Sequence, residues 1–238
     1  MRRHYTIGSE VVDVEVILSK RKTAAIEVRQ NKVRLKAPLR TPLVWIDEFI
    51  CSKAHWIARQ LREQRTRYES HAIALAEKPE VFYLGQRVPV VITAEASKTT
   101  LCLSEKGFLI DISRRTRRDQ ALVADELLRS WFADQARIDL TRRLGYLAEI
   151  TEMKPKGMVI GNYKSLWGRC SAKGEIALNW RLLLAHPEAI DYVIIHELCH
   201  LREFNHSARF WKLVAAHCPE MEMYRDYFRE RSVWLNWR

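Results

Sequence analysis

The sequence predicts an α+β fold in two parts: a β-rich first half with one long helix, and a second half in which a β-hairpin precedes three helices. Three observations carry that prediction. Apolar and polar residues alternate through short runs in 11–37 and 81–112, as half-buried strands require. Helical spacing of apolar residues replaces that alternation after Thr41 and again after Asp119. The runs MVIGNYKSLWGRC and EIALNW flank Ser171-Ala172-Lys173-Gly174, which reads as a hairpin turn. The expected regions are 1–115 and 116–238.

Each element has its own local reason. In residues 11–37 the dipeptide Gln30-Asn31 separates two alternating runs, so a hairpin within a small antiparallel sheet is expected. Thr41-Pro42 reads as an N-cap followed by proline in the first helical turn. The helix it opens carries Trp45, Phe49, Ile50, Trp56, Ile57 and Leu61, and ends among Arg59, Arg62, Arg65 and Arg67. The pieces VFYLG, VPVVI, TTLCLS and FLIDI follow as strands between turn residues. RRTRRD, 114–119, is the densest basic cluster, suited to a hydrated linker or a grip on phosphate, and it precedes a helix from about Asp119 to Glu149. Helical patterns then occupy roughly 187–204, 207–217 and 220–235.

Composition narrows the function classes. With 238 residues, 47% of them hydrophobic, the chain can bury a real core and is not a disordered tail. The N-terminus lacks an apolar signal core, and no run approaches the roughly 18 apolar residues of a membrane span. No membrane is expected. Five separated cysteines without a CxxC pair suggest reduced thiols and a cytoplasmic setting. A formal charge of +11 suits either a solvated basic surface or an anionic partner such as nucleic acid or a nucleotide.

The stretch HELCHLREFNH, 196–206, carries the chemistry. Pro187 opens a helix, with Glu188 and Asp191 in its first turn. At about 3.6 residues per turn, His196 and His200 share a face and can point at one metal ion, with Glu197 beside them. This is the HExxH spacing of zinc hydrolases. A catalytic zinc takes a third protein ligand. His206 is the expected one, provided that the helix breaks at Asn205 in a left-handed turn and restarts at a Ser207 N-cap. Glu203, seven residues after His196, is the rival because it needs no break. A polar amphipathic helix is the plainer alternative. Against it, Tyr192-Val193-Ile194-Ile195 and Leu198 and Leu201 imply burial on most sides, and buried histidines and a carboxylate without partners cost several kcal/mol, about what a metal relieves. Cys199 lies on another face and reads as a small core residue.

Trp167, Gly168, Arg169 and Cys170 form the strand before the hairpin turn and are candidate substrate contacts, because an exposed strand edge can pair with an extended peptide. The plainer reading places Trp167 and Trp180 in the core. Tyr163, Tyr192, Tyr224, Arg225 and Tyr227 are candidate donors to a developing oxyanion.

The segment WGRCSAKGEIALNWRLLLAHPEAIDYVIIHELCHLREFNHSARFWKLVAAHCP resembles the YgjP-like metal-dependent hydrolases, a family similar to the SprT and WLM zinc proteases. KRKTAAIEVRQNKVRLKAP and KAHWI resemble it more weakly, so the likeness runs from about 20 to 234. It implies a zincin-type second half with Zn2+ on His196, His200 and His206, and Glu197 as catalytic acid and base. Arg169 stands where many members have serine. The spacing from His200 to His206 also equals that of metzincins, but Glu203 replaces their glycine and no Met-turn is visible, which argues against that group. The expected function is a zinc metallopeptidase in which Glu197 takes a proton from a zinc-bound water. The alternatives are a metal-dependent nucleotide pyrophosphohydrolase and a nucleic-acid-associated protein carrying a protease domain.

Overall fold

A computed structural model describes residues 1–29 and 31–237. The chain divides into two compact units, Met1–His71 and Ala72–Arg238.

The first unit is a four-stranded sheet with two helices. Its strands are β1 (Arg2–Ile7), β2 (Glu10–Ser19), β3 (Ala25–Arg29) and β4 (Lys32–Pro38), in the order β1-β2-β4-β3. Alternation in β2 and β4 turns Val12, Val14, Val16, Val33 and Leu35 inward, onto Ile46, Ile50, Ile57 and Leu61 of the helices. β3 and β4 pair as the expected hairpin. Gln30 of its turn lies outside the described residues, and Asn31 is left-handed at φ 56°. Two expectations are corrected. The sheet is not wholly antiparallel: β4 inserts between β3 and β2 and runs parallel to β2, because alternation fixes which face is buried and not which neighbour is bonded. The single long helix is two, α1 (Leu43–Ser52) and α2 (Ala54–His71), divided at Lys53, whose ψ of 5° leaves the helical range. Thr41 does not cap α1; its hydroxyl donates to the Pro38 carbonyl, and Pro42 takes the cap position.

The second unit contains two sheets and four helices. β5 (Glu80–Tyr83), β6 (Gln86–Ala96), β7 (Thr100–Ser104) and β8 (Gly107–Ser113) lie in the order β5-β6-β8-β7, with β6 and β8 parallel. The helix α3 (Gln120–Thr151) is capped by the Asp119 carboxylate, which accepts from the Leu122 N–H at 3.0 Å. β9 (Gly157–Gly161), β10 (Gly168–Cys170) and β11 (Glu175–Asn179) form the second sheet in the order β10-β11-β9. A short 3-10 helix over Trp180–Leu184 leads to α4 (Pro187–Cys199), α5 (Ala208–His217) and α6 (Met221–Glu230).

The α+β class is as expected, with the first half β-rich. The boundary expected at 115/116 does not coincide with the division at 71/72. Phe108, Ile110 and Ile112 of β8 share one core with Leu128, Phe132 and Leu140 of α3 and with Ile190, Ile194 and Leu198 of α4. The strands of 80–113 therefore belong with α4.

Two buried polar residues hold the approach to β10. Asn179 is fully buried, and its amide donates to the carbonyls of Tyr163 at 2.8 Å and Leu166 at 2.9 Å. Arg181 is likewise buried, donating to Asn162 Oδ1 at 2.7 Å and to the Trp237 carbonyl from Nε at 3.1 Å. Its guanidinium also lies over Trp180, 4.2 Å from the ring centroid. Together they fix the connection from β9 to β10, residues 162–167, which has little regular structure of its own.

Candidate metal centre

His196 lies on α4 and His200 on its C-cap, one turn apart, as the four-residue spacing requires. The helix ends earlier than expected. Hydrogen bonds from Leu201 N–H to the Leu198 carbonyl (2.9 Å) and from Arg202 N–H to the Cys199 carbonyl (3.1 Å) tighten the chain into a 3-10 turn immediately after Cys199. Asn205 is therefore not the breaker, and its φ is not positive. Instead, the Asn205 carbonyl accepts from the Ser207 N–H at 2.7 Å, a three-residue turn with His206 at its centre. Ser207 caps α5 as expected, its hydroxyl accepting from the Phe210 N–H.

This corner brings His206 back to the helix. The ligating atoms of His196, His200 and His206 all lie within 4.8 Å of one another, and the Nε2 atoms of His206 and His196 are 3.0 Å apart. Tetrahedral ligands at ordinary zinc–nitrogen lengths stand about 3.3 Å apart, so the separation fits one shared cation. Among the described residues, Glu203 is not part of this group. Its backbone carbonyl sits 3.1 Å from His200 Nδ1, which fixes that ring with Nε2 free to ligate. Burial, followed by the charges of His200, His206 and Arg225, pushes His196 down to about 3, so its imidazole is neutral and offers a lone pair at physiological pH. Burial also lowers His200. Imidazole nitrogen is a donor type that suits a divalent transition metal.

Aromatic rings stack on two of the three imidazoles. Phe210 stacks on His200 with centroids 4.4 Å apart, and Trp211 stacks on His206 at 5.4 Å. The HExxH spacing by itself points to neither ring. The signal was available in their position, one turn after the Ser207 cap.

Glu197 is 6% exposed and points toward β10. Burial pushes its carboxyl up to about 8, against a hydrogen bond from the Cys170 backbone that pulls it down. The register explains that bond. Ser171 N–H donates to the Glu175 carbonyl and Asn179 N–H to the Trp167 carbonyl, so residues 167, 169 and 171 bond toward β11 while Gly168 and Cys170 turn their backbone groups to the outer edge. Glu197 accepts from the Cys170 N–H on that edge. A Cβ on Gly168 would meet the Glu197 Cγ and Oε1 at 2.8 Å, which is why this strand carries glycine there.

The other candidates separate. Trp167 packs on Phe228 at 4.7 Å and faces Trp234, so its side chain belongs to the core. Arg169 is exposed and lies over Tyr163, 5.5 Å from its centroid. The Cys170 thiol is half-buried. Of the possible oxyanion donors, Tyr227 accepts at its hydroxyl from the His186 N–H at 3.3 Å. Tyr192 is buried four residues before His196, its ring centroid 6.1 Å from that imidazole, and burial pushes its hydroxyl up to about 12.

A family model described as YgjP-like, metallopeptidase domain, matches residues 22–231. A solved structure described as the metallopeptidase zymogen of Pyrococcus abyssi abylysin is similar over 37% of this chain and 90% of that chain, at 29% identity and a TM-score of 0.35. No curated protein matches.

Proposed function

The chain belongs to the YgjP-like family of metallopeptidases, and on that premise we propose that it hydrolyses peptide bonds with a zinc ion held by His196, His200 and His206 and with Glu197 as acid and base. The observation that carries the proposal is that Glu197, whose side chain lies against Gly168 of β10, directly follows a histidine of the converging triad. A bound zinc ion supplies Lewis acidity, acidifying water and polarising a carbonyl.

The chain's own groups supply the rest. An extended peptide pairs with the free edge of β10, where Gly168 offers its N–H and carbonyl, and this brings its backbone alongside Glu197. In its ionised form, which burial disfavours and a neighbouring cation restores, Glu197 takes the proton of the attacking water on its carboxylate and returns it to the departing amine nitrogen. The Cys170 N–H keeps one carboxylate oxygen anchored during both transfers. Trp167 contributes by packing beneath the strand, and Arg169 projects from its face, so their part in substrate contact comes through the backbone. Among the described residues no helix is long and apolar enough to cross a membrane, and the five cysteines are free thiols. Free thiols favour a reducing compartment, and we place the protein in the cytoplasm.

Stripping the metal with a chelator is expected to abolish cleavage of a casein-derived peptide, and zinc at about one equivalent per chain to restore it. Nucleoside triphosphates serve as the parallel substrate. Release of phosphate or pyrophosphate without any peptide cleavage would replace this reading with a nucleotide hydrolase.

Gly168→Ala is expected to lower kcat/KM on the same peptide about 10- to 100-fold while metal content holds, since the three atoms nearest the added Cβ all belong to Glu197. Wild-type kcat/KM in that variant, measured beside metal content, would show that the position of Glu197 on β10 is immaterial.

A further inference from the structure

Arg225 on α6 stands one ring away from the histidines. Its guanidinium lies over Trp211, 5.0 Å from the ring centroid. That indole in turn stacks on His206 and lies 5.7 Å from the His196 ring. The Arg225 side chain is 46% exposed, so it meets both solvent and the histidine triad's aromatic wall.

Its hydrogen bonds are lopsided. Both oxygens of Glu222 accept from Nη1, at 2.7 and 2.8 Å. Among the described residues, no partner accepts from Nη2 or Nε. A guanidinium presents five N–H donors in a flat fork that matches a carboxylate. Stacking on an indole fixes the plane of that fork without using any of its donors. Glu222 then holds one corner, leaving Nη2 and Nε without an acceptor among the described residues. An ordinary surface pair three residues apart on a helix would not need an indole that itself packs against His196 and His206.

We propose that Arg225 is a specificity residue that selects peptides carrying a carboxylate near the scissile bond. The inference rests on the peptidase reading above and names the substrate class for that site. The carboxylate can belong to an acidic side chain or to the peptide's own C-terminus, since both present the same pair of oxygens. Glu222 keeps the guanidinium oriented and partly neutralised between substrates.

The test measures binding apart from turnover. Fluorescein-labelled alanine-rich peptides are made in three series: amidated without acidic residues, amidated with a single internal glutamate at successive positions, and uncharged with a free C-terminus. Fluorescence anisotropy reports their affinity for the full-length Glu197→Gln protein, with and without Arg225→Gln. At least one carboxylate series is expected to bind about tenfold more tightly than the neutral one, as a single charge-assisted contact provides. Which series shows the gap identifies the source of the carboxylate. The ratio should fall to about one in the Arg225→Gln background. Glu222→Gln, which removes the internal competitor and leaves Arg225 intact, should widen the ratio, and it decides the matter if the arginine variant does not fold. Equal affinity across the three series, or a gap that survives Arg225→Gln, overturns the proposal. If the gap is present but the wild-type protein cleaves none of these peptides, the peptidase reading fails while the carboxylate site stands.

Discussion

Glu197→Gln is expected to reduce peptide hydrolysis about 10²- to 10⁴-fold and to leave metal content unchanged, the range that loss of a positioned acid and base produces. Glutamine has the same shape and keeps a carbonyl oxygen for the Cys170 N–H, so the packing against Gly168 is preserved. What it loses is the ability to hold a proton and release it. The three histidines are untouched, and two of them are fixed by their own ring contacts with Phe210 and Trp211. Steady-state kcat/KM on a peptide, measured beside metal analysis of the same preparation, checks both halves. Full activity in this variant would mean that another group moves the proton.

His206→Ala is expected to weaken metal binding by more than about 100-fold, beyond what removal of an outer partner of a ligand costs. Glu203→Ala should leave affinity close to that of the wild type. The contrast follows from which atoms are used. His206 offers a ring nitrogen 3.0 Å from that of His196, whereas Glu203 acts on His200 through its backbone carbonyl, which alanine retains. Competition titration against a chromophoric chelator measures both variants. Retained affinity in His206→Ala together with loss in Glu203→Ala would exchange their roles.

The course of 199–207 shows where sequence reasoning reached and where it stopped. HExxH places two imidazoles on one face because the helical repeat does so wherever it occurs. Ser207 was legible as a cap because the residue types that satisfy an open N–H at a helix start are few. The helix end was not legible. Asn205 has the chemistry of a terminator, yet the chain tightens after Cys199, where no residue favours a break. The contacts that accompany the tightening come from elsewhere in the fold: Phe210 stacks on His200 once α5 has turned back. In the same way, alternation in 11–37 identified the buried face of each strand, while the parallel pairing of β2 with β4 depended on how the connections cross.

Gly168 marks the same limit at the site. In the sequence it is one glycine in a short strand, with nothing to separate a bend from a close approach. The register of β10 against β11 sets its outer edge under Glu197, and only then does the missing Cβ acquire a reason.

The sequence by itself determined the α+β class, the helix that carries His196, Glu197 and His200, and the restart at Ser207, because these follow from local periodicity and capping chemistry. Tertiary structure alone decided that His206 reaches the other two imidazoles, that Glu197 lies on the edge of β10, and that the strands of 80–113 join the core of α4. These depend on contacts between residues far apart in the chain, and local pattern carries no information about which distant surface will cover it.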